Sequence, residues 1–414
     1  MLSAEIIAVG SELLTPEKTD TNSLWLTEKL IGIGVEVKLK TIVGDDEARL
    51  EETIRDAMKR SDIVITTGGL GPTEDDVTRQ VSARAAGRKL KYHEELETHL
   101  RERFRHWGRE MPEINKRQAF VIDGADVLPN PHGSAVGMML KDAGKFLVVL
   151  PGPPREMRPM FEDHVLESVR SVAGNISVAR RVLRVSGIGE SALDELIAPI
   201  YKTCPTVQTS ILFNRTEVEI HLSAAAKSKA EATSAIDALA KKLAAPLGAA
   251  LFAENGETME EVVGNLLKSR KETLSVAESC TGGTIAMRLT DIAGSSGYFM
   301  EGAVTYSNEA KRRTLGVPAE TLESFGAVSS QTAEAMATGM RERTGSDYAI
   351  AVTGIAGPDG GTADKPVGTV FIGYADEQKT KSLKLTLPGD RELIRWRSSQ
   401  AALDYLRRQI MKSK

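Results

Sequence analysis

The chain has 414 residues, a length that accommodates two or three domains. Hydrophobic residues make up 41% of it and charged residues 27%, as in globular proteins, and the formal net charge is −4. This acidic balance and the aromatic content of 5% argue against nucleic acid as a partner, because nucleic-acid surfaces are basic and carry stacking rings. No apolar run reaches the roughly 20 residues that cross a bilayer, so we expect no membrane partner.

The first residues and the cysteines bear on localisation. The start, MLSAEIIAVGSELL, lacks the basic segment and the cleavage site of a signal peptide. The only cysteines, Cys204 and Cys280, are far apart and form no metal-binding spacing. Two separated thiols suit a reducing compartment, so we expect a cytoplasmic protein without a disulfide framework.

Strand and helix patterns alternate at the start of the chain. Buried-strand patterns at 4–9 and 63–66 and a strand of alternating apolar and polar residues at 35–43 are separated by helical patterns at 20–32 and 47–60. This order predicts a parallel sheet with helices on both faces, which we assign to a domain over residues 1–170.

A glycine-rich loop, TTGGLGPTEDDVTR, follows the third strand at 66–79. Glycines between a buried strand and a helix form an anion cradle in many α/β folds. Glu74, Asp75 and Asp76 favour a divalent cation that bridges them to a phosphate, and Glu12 follows the first strand at the same sheet edge. The alternative is a tight turn before an acid-rich helix start, which the helix dipole favours by itself.

The pattern changes near residue 180. A Gly187-Ile188-Gly189 turn before a helix, a strand pair and an alanine-rich helix predict a small α+β module at 178–250. The turn resembles a nucleic-acid backbone loop, but basic flanks and stacking aromatics are missing from the sequence around it. We therefore interpret the module as a connection that orients the two larger domains.

The stretch TLSVAESCTGGT at 273–284 is the centre of the last domain, residues 256–414. It predicts a short strand, a turn at Ser279 and the start of a helix. Backbone N–H groups at a helix start, glycines that admit a substrate and a serine oxygen are the parts of a nucleophile with its oxyanion site. The alternative is a serine that caps the helix, followed by glycines that pack it.

Two further segments supply partners for such a serine. Tyr306 and Lys311 follow one short strand and Thr353 follows another, so strands beside 276–278 would bring these side chains to Ser279. The sequence has no histidine after His221, so a serine nucleophile here would need a lysine or a tyrosine as its base. Lys311 is the candidate, with its pKa lowered by burial, and Tyr306 would relay or hold the proton. The alternative is that Lys311 belongs to a solvated basic helix face.

Motifs along the whole chain resemble one family. AESCTGG (277–283), VTYSNEAK (304–311) and TGIAGPDGGTADKPVGTV (353–370) resemble the nicotinamide mononucleotide deamidase domain. TTGGLGPTEDDVTR, PNPHGSAVG and LPGPPREM resemble the molybdopterin-binding-like domain that precedes it in the competence-damage-inducible (CinA) family. The resemblance implies a multidomain α/β protein, with two three-layer α/β domains of mainly parallel sheets joined by the small α+β module.

The resemblance also implies a bifunctional enzyme of pyridine nucleotide salvage. The C-terminal domain would hydrolyse the amide of nicotinamide mononucleotide (NMN) without a cofactor, with Ser279 as nucleophile, Lys311 as base, and Tyr306 and Thr353 in the site. The implied substrate-binding residues are Cys280, Thr281, Gly282, Gly283, Gly354, Gly357, and Arg391 or Arg395 at the phosphate. Asp359 stands where the family motif has glycine and would add charge near the site.

The N-terminal domain would hydrolyse ADP-ribose with a divalent metal (Mg, Mn or Co) held by Asp75 and Asp76. Its implied nucleotide-binding residues are Gly10, Glu12, Asn22, Gly68, Gly69, Gly71, Thr73 and Ser134. A homodimer is implied as well. Two alternatives stay open: a regulatory or binding protein of competence or DNA repair with a molybdopterin-like ligand domain, and a pterin-binding N-terminal domain with an inert C-terminal domain.

Overall fold

The computed structural model describes residues 2–174 and 176–412, which form a mixed α/β fold. It divides into two compact units. One unit consists of residues 1–179 and 225–233, and the other of residues 180–224 and 234–414. The second unit therefore holds both the C-terminal domain and most of the small α+β module, which we call the connecting module. The three-domain boundaries drawn from the sequence stay a prediction.

The first unit contains a six-stranded sheet in the order β2-β1-β3-β8-β7-β6. The strands of this region are Ser3–Val9 (β1), Glu36–Val43 (β2), Ile63–Thr67 (β3), Leu90–Tyr92 (β4), Phe120–Ile122 (β5), Asp126–Leu128 (β6), Gly137–Asp142 (β7) and Lys145–Leu150 (β8). The helices are Thr21–Gly32 (α1), Glu47–Arg60 (α2), Thr78–Ala85 (α3), Glu94–His106 (α4), Pro154–Met160 (α5) and Leu166–Ala173 (α6). β4 and β5 form a separate antiparallel pair.

Helices cover both faces of this sheet because its central strands are apolar on both sides. In β1, Ala4 and Ile6 join one core cluster with Leu26 of α1, while Ile7 and Val9 join another with Leu50 of α2. Successive strand side chains point to opposite faces, so one strand supplies both cores. The predicted three-layer arrangement of this domain is confirmed.

The connecting module is a four-stranded sheet in the order β10-β11-β9-β12 with two helices. Its elements are Ser177–Ser186 (β9), Glu190–Tyr201 (α7), Val207–Asn214 (β10), Glu217–Ala226 (β11), Lys229–Leu247 (α8) and Leu251–Ala253 (β12). β10 and β11 are an antiparallel hairpin, with Val207 opposite Ala224 and Asn214 opposite Glu217. The predicted strand pair and the helix that follows it are confirmed.

The C-terminal domain has a five-stranded sheet in the order β14-β13-β15-β16-β17. Its strands are Leu274–Glu278 (β13), Phe299–Val304 (β14), Tyr348–Gly354 (β15), Thr369–Ala375 (β16) and Thr380–Thr386 (β17). Its helices are Met259–Arg270 (α9), Thr284–Thr290 (α10), Asn308–Leu315 (α11), Ala319–Phe325 (α12), Ser330–Thr344 (α13) and Arg391–Lys412 (α14). Val276 and Ala277 of β13 enter different core clusters, so this domain also has three layers.

The prediction of mainly parallel sheets is wrong for the C-terminal domain. β13 is parallel to β14 and β15, but β15–β16 and β16–β17 are antiparallel. Only four residues separate β16 from β17, which is too few for the crossover that a parallel pair needs. In the N-terminal sheet three of five pairings are parallel, and a two-residue turn at Ala143-Gly144 imposes the antiparallel β7–β8 pair.

In the part of the chain that the structure describes, no helix combines the length and the apolar character needed to cross a bilayer.

Candidate active site

Ser279 lies directly after β13, the strand with parallel neighbours on both sides. The carboxyl ends of parallel strands meet at one sheet edge, so the segments that follow β14 and β15 lie beside Ser279. Its backbone N–H donates to the carbonyl of Val352 on β15 at 2.9 Å, which fixes the serine against that strand. The side chain is mostly buried, with 8% of the residue exposed. The strand neighbourhood expected from the sequence is confirmed.

Lys311 extends from α11 to the serine. Its Nζ lies 3.0 Å from Ser279 Oγ, 2.9 Å from the Thr305 carbonyl oxygen and 3.4 Å from the Tyr306 carbonyl oxygen. Ser307 caps α11 by accepting from the Ala310 N–H, and this cap places Lys311 one turn into the helix. Lys311 is only 1% exposed, so the alternative of a solvated basic face is wrong.

The surroundings of Lys311 favour its neutral form. Burial lowers the pKa of the Lys311 ammonium from the ordinary 10.5, since a low-dielectric environment disfavours the charge. A neutral amine has two N–H donors and one lone pair. The carbonyls of Thr305 and Tyr306 can accept both hydrogens, which leaves the lone pair for the hydroxyl hydrogen of Ser279. The geometry therefore suits proton transfer from the serine to the lysine.

The sequence analysis missed Glu278, the residue before the serine. Its buried carboxylate accepts the backbone N–H groups of Gly283 (2.9 Å), Ile285 (3.2 Å) and Ala286 (2.8 Å). Glu278 therefore takes up the N–H groups at the start of α10 that we had expected to serve an oxyanion at Ser279. The alternative of a capping serine is also wrong, because Gly283 is the N-cap residue of α10. A glutamate at a strand end gives no sequence signal for this role.

We expect Glu278→Ala to destabilise the C-terminal domain by about 3 kcal/mol, because it leaves three N–H groups without their charged acceptor. Urea unfolding of the full chain, followed by circular dichroism, measures this change. Glu254→Ala removes an exposed carboxylate of the same unit and serves as the matched control. Equal unfolding midpoints for the two variants would contradict the capping role.

Two other amides remain for an oxyanion. Among the described residues, no carbonyl or carboxylate accepts a hydrogen bond from the backbone N–H of Cys280 or Thr281. They follow the serine directly, which is where an oxyanion site needs its donors. Burial raises the pKa of the Cys280 thiol to about 12, so this cysteine is not the nucleophile.

Tyr306 and Thr353 lie near the serine, and their hydroxyls pair with other residues. The hydroxyl of Tyr306 accepts from Arg391 at 3.0 Å, and the residue is 60% exposed; only its backbone carbonyl contacts Lys311. The phenol therefore pairs with Arg391 here, and the expectation that it relays or holds the lysine proton stays a prediction. Thr353 is buried at the end of β15, and its hydroxyl donates to the Ala327 carbonyl at 2.7 Å.

Two arginines at the start of α14 contact loops of the site: Arg395 contacts the serine loop, and Arg391 contacts the loop after β15. Arg395 donates to the Thr281 carbonyl (2.8 Å) and to Thr284 Oγ1 (3.3 Å), while Arg391 donates to the Gly357 carbonyl (2.6 Å). A Cβ added to Gly282 would lie 3.2 Å from Arg395, so the loop needs a small residue there. Three other predicted residues belong to the same loops: Gly283 in the serine loop, Gly354 at the end of β15, and Asp359 in the loop that follows β15. Asp359 is exposed.

The N-terminal domain has a cleft of about 780 Å³ at the carboxyl edge of its sheet. The predicted residues that line it are Gly10, Glu12, Asn22, Gly68, Gly69, Gly71, Asp75, Asp76 and Ser134. Asn22 donates its amide hydrogens to Thr67 Oγ1 (3.0 Å) and to the Gly152 carbonyl (2.7 Å). Gly68 has a φ of +107°, and a Cβ there would lie 2.2 Å from the Val9 carbonyl, so only glycine lets the loop approach β1.

The acids of this cleft can hold a cation only together with a ligand. Asp76 accepts from the N–H (2.9 Å) and the hydroxyl (2.5 Å) of Thr73, so part of its carboxylate shapes the loop. Within residues 2–174 and 176–412, no three histidine, cysteine or acidic side chains lie together as a metal-binding group. Magnesium is commonly held by one or two carboxylates and the phosphates of a substrate. Asp75 and the remaining oxygen of Asp76 fit that donor set.

Arg79 is a second residue that the sequence analysis missed. It is 2% exposed, one η nitrogen donates to the Leu70 carbonyl at 2.7 Å, and its Nε has no acceptor among the described residues. Burial lowers the pKa of this guanidinium to about 10, so it remains charged near neutral pH. A buried cation behind the glycine loop raises the electrostatic preference of the cleft for an anionic ligand.

Comparisons with known proteins place these sites in a family. The chain is 48% identical over 413 residues to a CinA-like protein of Solibacter usitatus, covering 99% of this chain and 98% of the relative. The chain belongs to the CinA family. A CinA-like protein of Koribacter versatilis is 47% identical over 99% of this chain and all of the relative. The resemblance of the motifs to the CinA family is thereby confirmed.

Family models match successive parts of this CinA chain. They are described as a probable molybdopterin binding domain (5–171), a damage-inducible protein CinA KH domain (180–253) and a CinA C-terminal domain (256–410). Among solved structures, a CinA superfamily protein from Klebsiella pneumoniae is 34% identical, covering 38% of this chain and 99% of its own, with a TM-score of 0.36. Competence/damage inducible protein CihA from Agrobacterium tumefaciens is 44% identical over 36% and 93%, with a TM-score of 0.35.

Proposed function

We propose that the C-terminal domain is an amidohydrolase that converts NMN to nicotinate mononucleotide and ammonia. The observation that carries this proposal is the 3.0 Å contact between Ser279 Oγ and the buried amine of Lys311. A serine beside a lysine of lowered pKa is a nucleophile with its base, which is the arrangement that acyl transfer needs.

The reaction follows from this pair in two halves. Ser279 Oγ attacks the carboxamide carbon while its proton passes to Lys311 Nζ, and the amides of Cys280 and Thr281 stabilise the oxyanion. The carbon–nitrogen bond then breaks as Lys311 returns the proton to the departing ammonia, leaving a nicotinoyl ester on the serine. Water attacks the ester with Lys311 again as base. The carboxylate product leaves and the hydroxyl of Ser279 is restored.

A nucleotide substrate is supported by the two arginines. Arg395 contacts the serine loop and Arg391 contacts the loop after β15, each with a backbone carbonyl as an acceptor. Guanidinium groups match phosphate oxygens in pairs. An amide that also carries a phosphate monoester fits both parts of this arrangement.

The test of the proposed function is ammonia release by purified full-length protein. We expect release from NMN and much less from nicotinamide riboside and nicotinamide, because those amides lack the phosphate. Comparable release from all three would contradict the role of the arginines. No release from any of them would contradict the amidohydrolase itself.

We further propose that the N-terminal domain hydrolyses the pyrophosphate of ADP-ribose with a divalent metal. The glycine loop and the buried cation of Arg79 support an anionic ligand, and the exposed Asp75 in the cleft supports a metal bridged to its phosphates. Such a metal, when bound, would neutralise charge that develops on the phosphate oxygens. The chain's own residues would position the phosphates at the glycine amides.

Asp75→Asn is expected to lower metal-dependent ADP-ribose hydrolysis at least about tenfold, because the amide is a weaker ligand than the carboxylate. Phosphate analysis of reactions with Mg, Mn or Co, with and without chelator, measures it. Asp123→Asn changes an exposed acid of the same domain and is the matched control. Hydrolysis that survives chelation would show that no divalent metal takes part.

The connecting module gives little support to the alternative that the protein is regulatory or binds DNA. Although this region matches a KH model, the groove between α7 and β10 is lined by Glu190, Asp194 and Glu195. Acidic side chains there repel a phosphate backbone, so we propose small nucleotides rather than nucleic acid as ligands. We also propose a cytoplasmic homodimer, as the family resemblance implies; sedimentation of the purified chain tests the dimer.

A further inference from the structure

A buried polar network joins the connecting module to the elements around Ser279. Its centre is Arg288 near the end of α10, which is 4% exposed. The Arg288 guanidinium donates to Glu260 Oε2 (2.6 Å), Ser399 Oγ (2.8 Å) and Gln400 Oε1 (2.6 Å). One buried cation thus links α9, α10 and α14. Two of these helices border the serine loop.

The network continues into the β10–β11 hairpin. Gln400 Nε2 donates to Glu217 Oε2 at 3.0 Å, and the other oxygen of Glu217 accepts from Arg184 on β9. Glu217 is the first residue of β11 and is buried, so its charge depends on these partners. The connecting module therefore supplies part of the polar support of α14.

The turn of the same hairpin contacts Trp396. The guanidinium carbon of Arg215 lies 4.9 Å from the centroid of the Trp396 ring, and that of Arg288 lies 4.7 Å from it. Both distances are within the range of a cation–π interaction. Trp396 directly follows Arg395, which donates to the Thr281 carbonyl beside the nucleophile. A contact from the hairpin turn thus reaches the residue next to an arginine of the site.

We propose that the β10–β11 hairpin positions Arg395 for the phosphate of the substrate, with Arg184, Arg215 and Glu217 as positioning residues. This inference rests on the proposed function of the C-terminal domain. It gives the connecting module a role in binding a nucleotide phosphate.

The Ser279–Lys311 pair and Arg395 are held separately, so a change in the hairpin should affect KM and kcat differently. Ser279 and Lys311 are held by β13, β15 and α11, and within the described residues the hydrogen bonds of the network end on other elements. Arg395 holds a part of the substrate that does not react, so it binds the ground state and the transition state alike. Its loss of position then raises KM and leaves kcat nearly unchanged.

The experiment compares two arginines of the connecting module in the full-length protein, the exposed Arg215 and the partly buried Arg181. Arg215→Ala is expected to raise KM for NMN about fivefold with kcat within about twofold, and Arg215→Lys to restore most of the loss because it keeps a cation over the ring. Arg181→Ala is the matched control, since Arg181 pairs with Asp237 inside the connecting module and does not reach α14. An unchanged KM in Arg215→Ala, or the same rise in Arg181→Ala, would overturn the proposal.

A binding measurement separates this proposal from the proposed reaction. With Trp25 and Trp107 changed to Phe, the fluorescence of Trp396 reports its surroundings, and inorganic phosphate is the probe. We expect phosphate to bind about fivefold more weakly when Arg215→Ala is added. Weakened phosphate binding in a chain that does not deamidate NMN would reject the reaction and support the positioning role. Equal phosphate binding with normal deamidation would reject the positioning role alone.

Discussion

Ser279→Ala is expected to abolish ammonia release from NMN, with a fall in kcat of at least about a thousandfold, because no other hydroxyl is held by Lys311 in the described residues. Removing one oxygen atom from a mostly buried residue should leave the fold intact. A coupled glutamate dehydrogenase assay measures the ammonia, and thermal unfolding checks the fold.

The matched control for this change is Ser275→Ala. Ser275 is a buried serine of the same strand, and its hydroxyl contacts Ser346 at 2.7 Å, at the end of the strand away from the nucleophile. We expect this variant to keep its activity. If Ser279→Ala released ammonia at the rate of the unmodified protein, the assignment of Ser279 as the nucleophile would be contradicted. A nicotinoyl adduct at Ser279, seen by mass spectrometry after acid quenching, would support it directly.

Lys311→Met is expected to lower kcat about a hundred- to ten-thousandfold, which is the range for removal of a general base. Methionine keeps the length and the apolar stem of the side chain but lacks the amine, so the cavity stays filled. Lys379→Met is the control, since Lys379 pairs with Asp376 in a surface turn. Full activity in Lys311→Met would mean that another group accepts the serine proton.

The same lysine sets the expected pH dependence. Burial lowers the pKa of Lys311, so its neutral and basic form appears at a pH below the ordinary 10.5. Activity should therefore fall as the pH falls through this lowered pKa, because the protonated ammonium has no lone pair to accept the proton. A profile of kcat/KM against pH measures this, and a rate that rises as the pH is lowered would contradict it.

Much of the candidate site follows from strand order alone. Polar loops follow β13, β14 and β15, and the prediction that these strands are neighbours brings Lys311 beside Ser279 although 32 positions separate them. The absence of histidine from the last domain leaves a lysine or a tyrosine as the base, and Lys311 is the candidate. Those steps need only the period of apolar residues and the geometry of parallel sheets.

Other features depend on contacts that a local pattern does not contain. The sequence does not distinguish Glu278 from any other acid at the end of a strand. Its carboxylate accepts hydrogen bonds from the start of α10 only because of the path that the loop takes. Arg79 follows three acids and a threonine in an amphipathic segment and so resembles a surface charge. Glu217 and Gln400 are 183 positions apart, and their contact depends on how a hairpin docks on a helix.

The burial of Lys311 should protect its amine from reaction with acylating metabolites. Neutral amines attack acyl phosphates and thioesters, and the lowered pKa of Lys311 makes its neutral form more available than that of an ordinary lysine. Such an amine would be acylated readily if it faced solvent. Here 1% of the residue is accessible, and backbone carbonyls surround its nitrogen. The same enclosure that makes the amine reactive toward one hydroxyl also shields it from metabolites that would cap it. An amine-directed reagent should accordingly label the surface lysines of the folded chain and leave Lys311 unlabelled.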